Sequence, residues 1–221
     1  MRHLRLPPVE SRLARFRATA FAAVARLALS AVTLAMPGLL SPRLALAQGI
    51  EAPVQVQLPL FFKVLTFDRN LAARVHDQVV LGLIYQGGFR TSTLVKADVM
   101  KLAERTVADL HPGYGLRVIP IDLDAGGDVE ATLRQAGVNV VYVAPLRAFD
   151  VQKISRATRS AGITTLSSVA HYVDEGLAIG LGLNGDRPRI LLNLAAARAE
   201  GADFGSQLLK LVTLIGQDVT P

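Results

Sequence analysis

Between residues 78 and 166, four short apolar runs alternate with stretches of helical periodicity, and this alternation restricts the folds open to the chain. The runs are 78–85 (QVVLGLIY), 116–121 (LRVIPI), 138–144 (VNVVYVA) and 163–166 (ITTL). Strands that are apolar throughout suit a sheet covered on both faces. The first intervening stretch places Leu94, Val95, Val99, Leu102, Ala103 and Val107 along one helical side. The second spans 129–135, and the third carries Val151, Ile154, Ala157 and Thr158 on its inner stripe, with Gly162 closing it. A β-α-β-α-β-α-β order implies an α/β domain with a mostly parallel central sheet, helices on its faces and right-handed crossovers. Pro120 assigns the second run to an edge or a strand end.

Either side of this unit the pattern changes. Upstream, Leu58, Phe61, Phe62 and Leu65 follow mostly helical spacing, and Pro59 fits only a first turn, so the expectation is a helix over 59–67. Asp68 and Arg69 then read as a solvated helix end. Downstream, the runs 177–183 and 189–192 flank Asn184-Gly185, a strong signal for an antiparallel hairpin. The stretch 190–217, ILLNLAAARAEGADFGSQLLKLVTLIGQ, reads as strand, short helical turn and closing helix, with Ser206 as the N-cap of that helix.

The chain carries a formal charge of +6, which points to a nucleic-acid or membrane partner until the charges are located. Seven basic residues and one acid fall within 1–47, leaving seventeen of each sign from Gln48 onward. A nucleic-acid footprint therefore has no support outside the leader. That leader has a basic segment through Arg26, an apolar run over 27–40 and the small residues Ala45 and Ala47. This is the three-part pattern of a secretory signal peptide over 1–47, cleaved between Ala47 and Gln48. Its apolar run is too short to span a bilayer, which takes about 20 residues. The expectation is one periplasmic domain over 48–221. With no cysteine, it has no disulfide, thiol nucleophile or thiolate metal site.

Several groups of residues invite a chemical reading. Gly87, Gly88 and Thr91 lie between a strand and a helix, where backbone donors can hold an anion, but neither a dinucleotide nor a triphosphate fingerprint is present. Asp122, Asp124 and Asp128 beside Gly126-Gly127 suggest calcium, yet the order DLDAGGDVE departs from the helix-loop-helix calcium pattern and suits a capped turn better. Ser167, Ser168, His171 and Asp174 contain the residue types of a hydrolase triad, but they read more simply as a Ser-capped helix. His76, His111 and His171 share no ligand spacing. Arg147, Lys153, Arg156 and Arg159 read as a solvated basic helix face. No catalytic set, metal site or cofactor follows from these residues.

The run 190–217 also resembles the C-terminal signature of the YfiR-related (YfiR/HmsC-like) family of bacterial periplasmic regulatory proteins, I-x-x-N-L-x-A-A-R-x-x-G-x-x-F-x-S-x-L-L-K-L. Asn193, Leu194, Ala196, Ala197, Arg198, Gly201, Phe204, Ser206, Leu208, Leu209 and Lys210 occupy those positions. The resemblance extends more weakly back to about Pro53. It implies a non-enzymatic regulator that binds the periplasmic part of an inner-membrane signalling protein, a diguanylate cyclase or a sensor kinase, with control of cyclic-di-GMP, biofilm and motility. It is also compatible with a homodimer. Asn193 and Arg198 are expected to fasten the motif internally, and the apolar residues over 208–215 are expected to pack in the core, any excess being available to a partner. A periplasmic small-ligand binding protein, with its ligand at the Gly87-Gly88 loop, is the alternative.

Overall fold

The computed structural model describes residues 52–216 apart from 76 and 111–113, so the leader, its cleavage point, His76 and His111 lie outside the described residues. The elements are α1 (Val54–Leu65), α2 (Leu71–Arg74), β1 (Gln78–Tyr85), α3 (Arg90–Leu110), β2 (Gly115–Asp122), α4 (Val129–Gln135), β3 (Val140–Val143), α5 (Val151–Ala161) and β4 (Thr164–Ser167). They continue with β5 (Ile179–Asn184), β6 (Arg187–Asn193), α6 (Leu194–Ala199), α7 (Ser206–Leu209) and β7 (Thr213–Ile215). Single 3-10 turns occupy Leu123–Ala125 and Ala170–Val173.

The seven strands form one sheet in the order β2-β1-β3-β4-β5-β6-β7. All neighbours are parallel except β5 and β6, which make the antiparallel hairpin. Period-2 alternation sorts the strand residues onto two cores. Val79, Leu81 and Leu83 of β1 join Leu58, Phe61 and Leu65 of α1 and Val95 and Val99 of α3 on one face. Val80 and Ile84 join Leu133 of α4 and Val151 and Ile154 of α5 on the other. Gly82 stands where a Cβ would come within 3.0 Å of Val138, so a small residue lets Val138 and Leu133 of α4 pack closely on β1. The mostly parallel α/β architecture expected from the alternation is the one observed.

Three elements differ from expectation. The first helix starts at Val54, and Pro59 lies inside it. The amides of Val56 and Gln57 turn onto the Pro53 carbonyl, so the helix is already nucleated before the proline. Proline removes one donor, whose acceptor would be the carbonyl of Gln55, a residue exposed to water. Burial of Val54, Leu58, Phe61 and Leu65 along one side extends the helix through it.

Pro188 and Arg187, read as turn residues, belong to β6, and the turn shrinks to Gly185-Asp186. Pro188 is tolerated because β7 pairs only with Leu191, Leu192 and Asn193, leaving the proline side of β6 open. The closing helix is a single turn, Ser206–Leu209, after which Thr213–Ile215 adds a parallel edge strand. Its apolar residues cover more than one helical side, a pattern that a short strand satisfies as well, and the unpaired half of β6 decides the outcome.

Candidate functional site

β1 is flanked by β2 on one side and β3 on the other, so the loops at its C-terminal end and that of β3 diverge there. This topological switch point is where open parallel sheets place ligands. Here the chain's own side chains occupy it. Gly87 N–H donates to Asp122 Oδ1 at 2.9 Å and Gly88 N–H to Asp124 Oδ2 at 2.7 Å. Gln86 accepts the Arg147 N–H through Oε1 at 2.6 Å, and the Arg147 guanidinium lies 5.5 Å from the Phe89 ring centroid. The donors that the sequence offers to an anion are thus met by two internal carboxylates. A Cβ on Gly87 would stand 2.4 Å from Asp122 Oδ2. Thr91 is half-buried at the start of α3.

Two of the three aspartates, Asp122 and Asp128, act as caps, while Asp124 holds the Gly88 loop. Asp122 Oδ1 also accepts the Asp124 N–H at 3.0 Å, and Asp128 accepts the Glu130 and Ala131 N–H groups at the start of α4. The capped-turn reading of this stretch agrees with that geometry. Beyond them, a cleft of about 380 Å³ opens between α4 and α5, bordered by Asp122, Asp128, Glu130, Phe149, Lys153 and Arg156. Glu130 bonds Ser160 Oγ at 2.7 Å and Arg134 at 2.9 Å, which hold its carboxyl below the usual carboxylate range. Lys153 and Arg156 are exposed, as the solvated-face reading requires, whereas Arg159 donates to the Gly176 carbonyl at 2.9 Å.

The serine, histidine and aspartate near residue 170 form no triad. Ser167 Oγ donates to the Val169 carbonyl at 2.7 Å and Ser168 Oγ to the Val143 carbonyl at 3.0 Å, both buried. His171 is exposed and faces Glu175 at 3.3 Å. The Ser-cap expectation fails too. The 3-10 turn starts after Val169 with no side-chain cap, because both hydroxyls are turned to strand and loop carbonyls.

The closing motif splits into a buried set and an exposed set. Asn193 caps α6, accepting the Ala196 N–H at 2.9 Å through Oδ1 and donating to the Val173 carbonyl at 3.1 Å through Nδ2. Leu194, Ala197, Phe204 and Leu208 are buried, Leu209 is half-buried, and Gly201 takes the left-handed conformation (φ 86°) that ends α6. The Arg198 side chain is exposed and makes no hydrogen bond or ion pair among the described residues, acting on Asp203 only through its field, so the expected internal fastening by the guanidinium is not what the structure shows. Ser206 is likewise exposed and caps nothing, since Gly205 occupies the cap position.

The fastening falls to two carboxylates, Asp68, expected at a solvated helix end, and Glu200, which no motif singles out. Asp68 is buried, not solvated. Its Oδ1 accepts the Asp203 N–H at 2.8 Å and the Asn70 N–H at 3.0 Å, and its Oδ2 pairs with Arg74. Glu200, fully buried, bonds Thr165. A lone acid within the small-residue run AAARAEGA was the available signal.

A family model described as YfiR/HmsC-like matches residues 106–213, from the end of α3 to the first residue of β7. Of the weaker resemblance back to Pro53, the part before residue 106 lies outside that match, as do Gly87, Gly88 and Thr91. No curated protein matches the chain significantly. Among solved structures, a conserved domain protein from Vibrio cholerae is similar with a TM-score of 0.50 and 15% identity, over 74% of this chain and 60% of that one. A ligand-free, open substrate-binding protein with adhesive properties from Clostridium difficile is similar with a TM-score of 0.50 and 14% identity, over the same shares of 74% and 60%. The chain therefore spans about 60% of the length of these solved proteins. Likeness at this identity establishes the α/β fold.

Proposed function

We propose, from the match of residues 106–213 to a family model described as YfiR/HmsC-like, that this chain is an exported, non-enzymatic regulator that binds the periplasmic part of an inner-membrane signalling protein. The family match is the observation that carries this reading. A diguanylate cyclase is the first candidate target and a sensor kinase the second, with cyclic-di-GMP output restrained across the membrane. Docking changes that output only if the chain binds one conformation of the target more tightly than another. The exposed members of the closing motif, Arg198, Ser206 and Lys210, form the contact surface, while Leu194, Ala197, Phe204 and Leu208 hold it in shape. The leader over 1–47 directs export and is removed after Ala47. A homodimer is compatible with this role.

The test is affinity capture with the purified chain from detergent-solubilised inner membrane, followed by identification of what is retained. Retention of a diguanylate cyclase or sensor kinase, weakened by Arg198→Glu, supports the reading. Turnover of a metabolite by the purified chain, lost on replacing one polar side chain, overturns it.

The cleft between α4 and α5 favours a second reading, a small-ligand binding protein, since about 380 Å³ falls within the range of small-molecule sites. Saturable stabilisation by a metabolite, abolished by Lys153→Glu, would select that reading over the first.

A further inference from the structure

Glu200 is fully buried, and the proposed regulator role makes no use of it. It forms the C-cap of α6, one residue before the left-handed Gly201. Its carboxyl reaches both β4 and α5. Oε2 accepts the Thr165 N–H at 2.8 Å, while Oε1 lies 2.8 Å from Thr165 Oγ1 and 3.3 Å from Thr158 Oγ1.

Among the described residues no cation forms an ion pair with it. The charged groups around it come from three elements. Arg159 of α5 donates to the Gly176 carbonyl and acts on Glu200 only through its field. Arg74 of α2 bonds Thr164 Oγ1 and the Gly162 carbonyl and is already neutralised by Asp68. Arg198, on Glu200's own helix, is exposed. A carboxylate in such a place loses its water without gaining a counter-charge, whereas the neutral acid carries no such penalty.

The hydrogen bonds from Thr165 and Thr158 favour the carboxylate and are outweighed by burial, and the neutral acid also fits among the same partners. The Ala178 N–H donates to Thr165 Oγ1 at 2.7 Å, and the Thr165 hydroxyl donates in turn to Oε1. With the acid proton on Oε1, that oxygen donates to Thr158 Oγ1, whose own hydroxyl donates to the Ile154 carbonyl at 3.0 Å. Every hydroxyl in the chain then both accepts and donates. Ionisation removes the middle proton, so the Thr158 hydroxyl must turn from Ile154 toward Oε1, and the charge still has no ionic partner.

We propose that Glu200 is a pH-set latch: as the neutral acid it seals α6 to β4 and α5, and its ionisation in alkaline surroundings loosens the closing segment 194–216 from the sheet. This follows from the seam alone and stands whether or not the chain docks on a membrane protein. Burial raises the acid's pKa from the ordinary 4.5 to about 8, against the hydrogen bonds of Thr165 and Thr158 and the field of Arg159. Because the folded-state value is the raised one, the latch's contribution to stability is whole below 4.5, declines through the interval and is gone above about 8.

The test compares the purified full chain with Glu200→Gln, whose amide can both donate and accept as the neutral acid does. The ratio of wild-type to variant folding equilibrium constants is expected to fall by up to about tenfold per pH unit within that interval. Amide exchange over 194–216, corrected for its intrinsic pH dependence, is expected to accelerate in the wild type relative to β1 and β3, but not in the variant. A ratio that stays constant across the interval overturns the latch. If the variant does not fold, the carboxyl signal of Glu200 in the wild type decides, by infrared or carbon-13 spectroscopy. A protonated acid at neutral pH that titrates upward of it upholds the proposal, and an ionised one overturns it.

Discussion

Asp68 and Asp124 make the same kind of contact, a carboxylate oxygen accepting a distant backbone N–H, in opposite surroundings. Asp68 reaches the Asp203 amide at 2.8 Å from a buried position, and Asp124 reaches the Gly88 amide at 2.7 Å at the water-exposed end of the sheet. At the exposed end, water replaces either partner if the bond is cut, so the contact shapes a loop and adds little to stability. At the closing seam the Asp68 carboxyl itself is buried and its partners are only partly open to water, so the loss of this carboxyl is poorly compensated. Near-equal distances therefore say little about energetic weight, and burial separates a fastener from a trim.

Replacing Asp68 by Ala tests this most severely. The variant strands the Arg74 guanidinium, whose side chain is 17% exposed, and leaves the Asp203 and Asn70 amides without their acceptor. A loss of about 3–5 kcal/mol in urea unfolding is expected, as for other broken buried pairs. A loss as small as that of an exposed pair would break the comparison. Thr165→Val comes next. It deprives the Ala178 N–H of its acceptor and removes one donor to Glu200, for about 1–3 kcal/mol by the same measurement.

On the exposed side, Asp128→Ala removes the cap that serves the Glu130 and Ala131 amides, and about 1 kcal/mol is expected in thermal unfolding. Asp124→Ala sharpens the contrast directly. Water takes over the Gly88 amide, and the change should stay within about 0.5 kcal/mol, with amide exchange at Gly88 rising locally. Smallest of all is Arg69→Ala. Its 2.7 Å pair with Asp203 joins the same two segments as Asp68 does, but both side chains are open to solvent. The melting temperature should not move measurably, and a clear drop would show that proximity to the seam matters more than burial.

Much of this molecule could be read from its residues in order. The limits of β1, the extent of α4 and the left-handed Gly162 after α5 all follow from short-range rules of periodicity and capping, and each sits where those rules put it, while the hairpin is present with its turn one residue later, at Gly185-Asp186. The closing motif was legible as a unit, yet its internal roles were not. Arg198 looked like the fastener and is exposed, whereas Glu200, two positions on, is the group that bonds β4.

Such reversals have a common physical origin. Local spacing reports which side of an element a residue takes, but whether that side meets water depends on segments far along the chain. Asp68 is buried by contacts 135 positions away, and Glu200 is held by partners 35 and 42 positions back. The run after Leu209 became a strand because the free half of β6 stood beside it, with residues 191–193 ready to pair. Periodicity thus determined the layers and the strand–helix order, while burial, and with it the energetic role of each polar side chain, was settled only when those layers closed.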